Sequence, residues 1–272
     1  HESERDEDRT SVHAFAAEMV RAGQGPIGRE ILVQQPDVET VVVPIAGGGL
    51  ISGIATAITA QRPEVRVIGV EAAGAASAAD SLETGEIRAR DSVDTIADGI
   101  ATRSIGEQPF EIIQERVDEV VTVSDEEIAL ALTLLLERSK TLVEGAGAVA
   151  LAALLEERFA YDEGEVIVPA LCGGNIDMNQ LTTVVLRGLI QLGRYLKIRT
   201  VLPDQPGALE GLIEIIADKG ANIYEIHHER ASREVGMSDT EVELELETHG
   251  PEHAAELLAT LRDDGYTVDV LK

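Results

Sequence analysis

The sequence predicts an α/β protein built on an open parallel sheet, followed by a separate, smaller α+β unit. Three observations carry this. The run Val41-Val42-Val43-Pro44-Ile45 reads as a buried strand, and Gly47-Gly48-Gly49 leads from it into an apolar stretch beginning Ile51-Ser52-Gly53-Ile54-Ala55, which reads as a helix. A second strand over 66–70 follows that helix. Strand, glycine turn, helix and strand in that order imply a right-handed parallel crossover. From about residue 196 the chain changes to a tighter alternation, in the order βαββαβ.

Taken in order, residues 1–11 are charged and aperiodic and are predicted to be disordered. A short helix after Gly28 runs to about residue 35 and leads into the strand at 40–45. The helix after the glycine triplet ends near Pro63, and the next strand delivers Glu71 at its carboxyl end. Residues 72–92 are small and polar and read as loop with a little helix. A strand at 117–123 comes next. Ser124 then caps a helix, with Glu127 three residues on completing a capping box and Ile128, Leu132, Leu135 and Leu136 forming its apolar stripe. A helix over about 146–159 is rich in small residues and so packs closely. The strand at 165–171 ends in the turn Cys172-Gly173-Gly174. In open α/β sheets ligands bind beyond the carboxyl ends of the strands, so both glycine turns are expected to face one crevice.

A helix from Met178, carrying Leu181, Val184, Val185, Leu189 and Leu192, bridges to the second unit. That unit reads as strand 197–202, helix 208–219, strand 222–229, strand 240–247, helix 252–263 and strand 267–271. The predicted domains are therefore 1–194 and 195–272.

Composition excludes several functions. The formal charge of −28 on 272 residues repels nucleic acid and anionic membrane, and its spread along the chain reads as adaptation of a cytoplasmic protein to high salt rather than as a site for a cationic partner. No stretch has the length of a membrane span, and no basic-then-apolar signal pattern opens the chain. The single cysteine, Cys172, excludes an intrachain disulfide and a cysteine-based zinc site.

Alone, the glycine triplet is open to two readings, a structural turn or an anion cradle built from free N–H groups at a helix start. It is neither a Walker loop nor a dinucleotide fingerprint. In sequence order, however, stand Gly23-Gln24-Gly25-Pro26-Ile27-Gly28, the triplet, Val67-Ile68-Gly69-Val70-Glu71, Thr95-Ile96-Ala97-Asp98-Gly99, Val143-Glu144-Gly145-Ala146-Gly147-Ala148 and Cys172-Gly173-Gly174-Asn175-Ile176-Asp177. From about Val12 to Asp177 this series resembles the second half of the pyridoxal-phosphate threonine dehydratases, relatives of serine racemase. The resemblance implies a fold-type-II (tryptophan synthase β-like) sheet. It also implies that Ala46, Gly47, Gly48, Gly49 and Leu50 hold the cofactor's phosphate through their N–H groups. Many relatives have glycine where this chain has Ala46.

Cys172 matches the residue that faces the pyridine nitrogen, serine in some relatives. A neutral thiol is a weak proton source and would leave that nitrogen largely unprotonated, favouring loss of a β-hydroxyl. The competing reading is a buried structural cysteine. Glu71 corresponds to a cation ligand in several relatives, but Ser77 stands where those have a further acid, so a hydrogen-bonding role is preferred to a metal site. Asp98 and Glu144 order neighbouring loops, and His13, His227 and His228 are assigned no chemistry. The turn Asp204-Gln205-Pro206-Gly207-Ala208-Leu209, with Gly220-Ala221-Asn222-Ile223, resembles the ACT regulatory domain. That resemblance implies an amino-acid effector site made of Asp204, Gly207, Leu209, Asn222 and Ile223, shared across a dimer.

A pyridoxal enzyme holds its cofactor on a lysine. The family's Ser-Phe-Lys-type segment and Ser-Gly-Asn-His loop are not found here, and none of Lys140, Lys197, Lys219 and Lys272 is assigned the Schiff base. The chain is expected to be the C-terminal portion of a longer threonine ammonia-lyase, a homo-oligomer (dimer or tetramer) that converts L-threonine to 2-oxobutanoate and ammonia, and to be inactive alone. A serine racemase or a serine or hydroxyaspartate dehydratase is the enzyme alternative. An amino-acid-binding regulatory protein acting through 196–272 is the non-enzyme one.

Overall fold

The computed structural model describes residues 18–229, 236 and 238–271; the stretch 1–11, His13 and Lys272 lie outside them. The chain divides into two units after Val184. The division falls inside a helix, whereas the sequence pattern sets the boundary after residue 194.

In the first unit the order is α1 (Glu18–Ala22), α2 (Gly25–Gln34), β1 (Thr40–Pro44), α3 (Gly49–Thr59), β2 (Arg66–Ala72) and α4 (Ser77–Thr84). Then follow α5 (Glu107–Arg116), β3 (Glu119–Val123), α6 (Asp125–Leu134), α7 (Gly145–Leu155), β4 (Ile167–Pro169) and α8 (Met178–Gln191). The four strands are parallel, in the order β3-β2-β1-β4. Every residue of β1 is buried, which explains its unbroken apolar run: a strand covered on both faces has no polar side to present. Val41, Val43 and Ile45 pack with Ile51, Ile54 and Ile58 of α3 and Ile113 of α5 in one core.

The capping box forms. Ser124 Oγ accepts from Glu127 N–H at 3.3 Å, and Glu127 Oε2 accepts from Ser124 N–H at 2.8 Å. Ile128 and Leu132 are buried, but α6 ends at Leu134, so Leu135 and Leu136 lie in a wider π turn, Leu135–Ser139, closed by Lys140 at φ 57°. Strand β4 is shorter than the run at 165–171. Its last residue is Pro169, which has no N–H to give a ladder. Helix α5, like the short α1, is an element the sequence pattern leaves unread. Its buried residues are only Pro109, Phe110 and Ile113, between charged neighbours.

The second unit holds β5 (Tyr195–Pro203), α9 (Ala208–Asp218), β6 (Asn222–Glu229), β7 (Asp239–Glu247), α10 (Pro251–Asp263) and β8 (Val268–Leu271). Its sheet is antiparallel, in the order β6-β7-β5-β8. Leu196, Ile198 and Leu202 of β5 and Val242, Leu244 and Leu246 of β7 face the helices and are buried with Leu212, Ile216, Leu257 and Leu261. The intervening residues form the other face, where Arg199 pairs with Glu243 at 2.7 Å and Lys197 with Glu245 at 3.1 Å. Alternation at period two is what a sheet covered on one side requires.

Candidate functional site

The site is built at the carboxyl edge of β1, β2 and β4. Ile45 N–H still belongs to the sheet, donating to Val70 O at 2.7 Å, and the chain then leaves it as the glycine loop. Gly48 is left-handed, φ 87°, and a β-carbon there would stand 2.6 Å from Pro109 Cβ, so only glycine fits both the turn and its neighbour. The carbonyls of the loop are taken up inward. Gly106 N–H donates to Gly47 O at 3.2 Å, while Ser52 donates to Gly48 O through N–H at 3.1 Å and Oγ at 2.6 Å. The N–H groups of Ala46, Gly47, Gly48, Gly49 and Leu50 donate to no protein acceptor among the described residues. No acid stands in the first turn of α3, and no side chain caps it. Consecutive free amides at the positive end of an apolar helix make a cradle for a phosphate group. Ala46 is not at positive φ, so its methyl group is unstrained.

The second turn leaves the same edge. Strand β4 runs parallel beside β1, with Ala170 N–H donating to Val42 O at 2.8 Å, and Cys172 follows two residues later. Its thiol is half-buried, and burial pushes its pKa up, which keeps it neutral. The turn is seated on the start of α7 by the bond from Glu144 N–H to Gly173 O, 3.2 Å. Loop 95–99 is fixed beside it. Asp125 accepts from Thr95 Oγ1 at 2.6 Å and from Ile96 N–H at 3.1 Å, and Gln180 Nε2 donates to Ile96 O and Asp98 Oδ2 at 3.2 and 3.0 Å.

Glu71, at the end of β2, is 1% exposed. Its two carboxylate oxygens accept from Ala78 and Ala79 N–H, each at 2.8 Å, so it closes the N-terminus of α4. Burial still outweighs these bonds and raises its pKa to about 7. Ser77 Oγ is buried beside that helix start with no hydrogen-bond partner among the described residues. Among the described residues no group of three or more His, Cys, Asp and Glu is placed to hold a metal ion. Lys140 Nζ donates to Glu137 O at 2.7 Å, and Lys197 and Lys219 are paired with glutamates of the second unit.

The effector candidates fall into two groups. Asp204, Gly207 and Leu209 line a cavity of about 450 Å³ together with His228 and Thr240. Asn222 and Ile223 do not line it. Asn222 starts β6 level with Glu247 and, through β7, with Tyr195, whereas Asp204 follows the far end of β5. Residues the sequence reading missed are Gly106 and Pro109, which seat the glycine loop. Their only signal is a Gly-x-x-Pro spacing without a recognised role.

An open parallel sheet with an amide cradle and a second glycine turn at one edge defines an α/β protein built to hold a phosphorylated ligand. Comparison with known proteins supplies the family: the model of the pyridoxal-phosphate-dependent enzymes matches residues 1–173, from before the glycine triplet through Cys172-Gly173, and the chain belongs to that family, whose cofactor is pyridoxal phosphate. It is 52% identical over 261 residues to the L-threonine ammonia-lyase of Geobacter sulfurreducens, and 43% identical over 260 residues to that of Thermotoga maritima. Each match covers 96% of this chain but only 65% and 64% of those relatives, so the chain spans just under two thirds of their length. Among solved structures, the T.th. threonine deaminase superposes with a TM-score of 0.61 at 40% identity, over 64% of this chain and 65% of that one. Maize serine racemase gives 0.63 at 33% identity, over 70% and 59%. The parallel-sheet unit thus has the α/β fold of the type II pyridoxal-phosphate enzymes.

Proposed function

We propose that this chain is the phosphate- and ring-binding part of a threonine ammonia-lyase, acting on L-threonine to give 2-oxobutanoate and ammonia. The observation that carries the reading is the row of five unengaged amides after β1, on the same sheet edge as Cys172. Pyridoxal phosphate, when bound, supplies an electron sink for the carbon that loses its proton. Ala46 to Leu50 grip the phosphate through their N–H groups. Gly106 and Ser52 hold the loop's carbonyls turned away from that anion. Cys172 stands by the ring nitrogen as a neutral thiol and does not deliver a full proton to it, which favours departure of the β-hydroxyl over reprotonation. No lysine on either turn holds the aldehyde, so the purified chain should bind the cofactor without covalent attachment. Borohydride should fix none of it to lysine, and threonine should yield no 2-oxobutanoate. Equilibrium dialysis checks the cradle: Gly48→Ala should weaken pyridoxal phosphate binding by about tenfold or more, since the left-handed turn and the Pro109 contact both exclude a methyl group. Unchanged binding would remove this reading.

Residues 195–272 are proposed as an ACT unit sensing an amino acid such as isoleucine or valine. Strands β5 and β6 are both antiparallel to β7 and so run the same way. Asp204 therefore lies about 30 Å along the sheet from the level of Asn222, at ~3.3 Å per residue. One site using both ends must take Asp204, Gly207 and Leu209 from one copy and Asn222 and Ile223 from another. Titration calorimetry should show binding lost in Asp204→Ala and in Asn222→Ala, and restored in part when the two variants are mixed. No restoration on mixing would favour a site within one chain.

A further inference from the structure

Three stretches far apart in the chain meet at one side chain. Glu144 occupies the N-cap position of α7, but its carboxylate does not cap that helix. Its N–H grips Gly173 O at 3.2 Å, and its side chain lies along the bare Cα of Gly173. A β-carbon at 173 would collide with Glu144 Oε1 and stand 3.0 and 3.1 Å from its Cδ and Cγ. Gly99 faces the same carboxyl group, its β-carbon position being 3.4 Å from Cδ and Oε1. Around this point the backbones approach too closely for side chains: a β-carbon at Gly147 would lie 2.6 Å from Gly173 O, and one at Gly145 would lie 2.8 Å from Ile96 O. Gly173 itself is at φ 131°, a conformation that leaves its Cα face open for Glu144 to cover.

We propose that Glu144 is a positioning residue: holding the Gly173 carbonyl with its main chain and filling that glycine's vacant volume with its side chain, it sets where the Cys172 thiol stands at the ring-nitrogen end of the cofactor site. The assignment rests on the cofactor reading of Cys172 given above. Its mechanical half does not, because the Cys172 turn cannot shift without displacing the start of α7. The role is one of shape and grip, so an amide of equal volume should fill it and a methyl group should not.

Cys172 is the sole cysteine, so alkylation by iodoacetamide reports on this turn alone. In the full chain the half-buried thiol should react slowly. Glu144→Ala should raise the rate roughly tenfold by letting the turn open, while Glu144→Gln stays within about twofold of the parent. Gly173→Ala must push the Glu144 side chain out and should match Glu144→Ala. Circular dichroism confirms that each variant is folded. Should Glu144→Ala not fold, Glu144→Asp, one methylene shorter, takes its place with the same ordering expected. Equal rates across the series, or a glutamine variant as fast as the alanine one, would overturn the assignment. Pyridoxal phosphate should protect Cys172 in the parent, at several-fold lower concentration than in Glu144→Ala. No protection with the variant order intact overturns the cofactor reading instead, so the two failures are told apart.

Discussion

Glu71 shows how a single residue's local pattern can leave its consequence unread. The sequence marks an acid at a strand's carboxyl end, and the preference for hydrogen-bond acceptor over cation ligand turns on Ser77, six residues later, where several relatives have a further acid. The structure shows that both oxygens are taken by Ala78 and Ala79 N–H. Its pKa lies near 7 because burial costs more than two amides return. The folded chain therefore keeps a proton that the unfolded chain, with an ordinary value of 4.5, gives up. Stability from this group is greatest below about pH 4.5 and is lost as pH rises to about 7, by an amount on the order of 3 kcal/mol. Urea melts of the parent and of Glu71→Gln across that interval should show the difference between them changing in the variant's favour as pH rises. A constant difference would mean that the carboxyl group is not the source.

Among the elements, legibility followed how much of the pattern is local. The capping box was readable because Ser124 and Glu127 carry it within four residues, and Ser124→Ala should cost about 1 kcal/mol in thermal or urea melts. Strands β1, β5 and β7 were readable from their side-chain pattern: β1, buried throughout, carries an apolar run after Thr40, and the other two alternate. Helix α5 was not, since its three buried residues signal nothing until Pro109 and Ile105 are seen against Gly48. The same limit applies to the junction at Glu144. Its three motifs were each visible, but their meeting depends on backbone approaches that no spacing encodes. The π turn before Lys140 likewise reflects a long-range fit, ending an apolar stripe that the sequence would extend through Leu136.

For the molecule as a whole, two units with different sheets were foreseeable from the change in alternation near residue 196. The charge of −28 was plain from composition, and the structure adds how it is distributed in the second unit, where Glu241, Glu243 and Glu245 line one strand with Lys197 and Arg199 between them. Those pairs offset the acids locally, whereas the net charge of −28 leaves the chain as a whole self-repelling, and screening relieves that repulsion. Raising potassium chloride from about 0.1 M to above 1 M, where the Debye length falls from ~10 to ~3 Å, should increase the melting temperature by several degrees; a flat response would set the high-salt reading aside. The distance separating Asp204 from Asn222 also has a consequence for control. In the proposed effector site, a ligand that needs both ends of the sheet is captured by two molecules or by none, so its half-saturation point should drift downward as the protein is made more concentrated. Under that proposal, control would depend on how much of this polypeptide a cell makes, as well as on how much amino acid it holds.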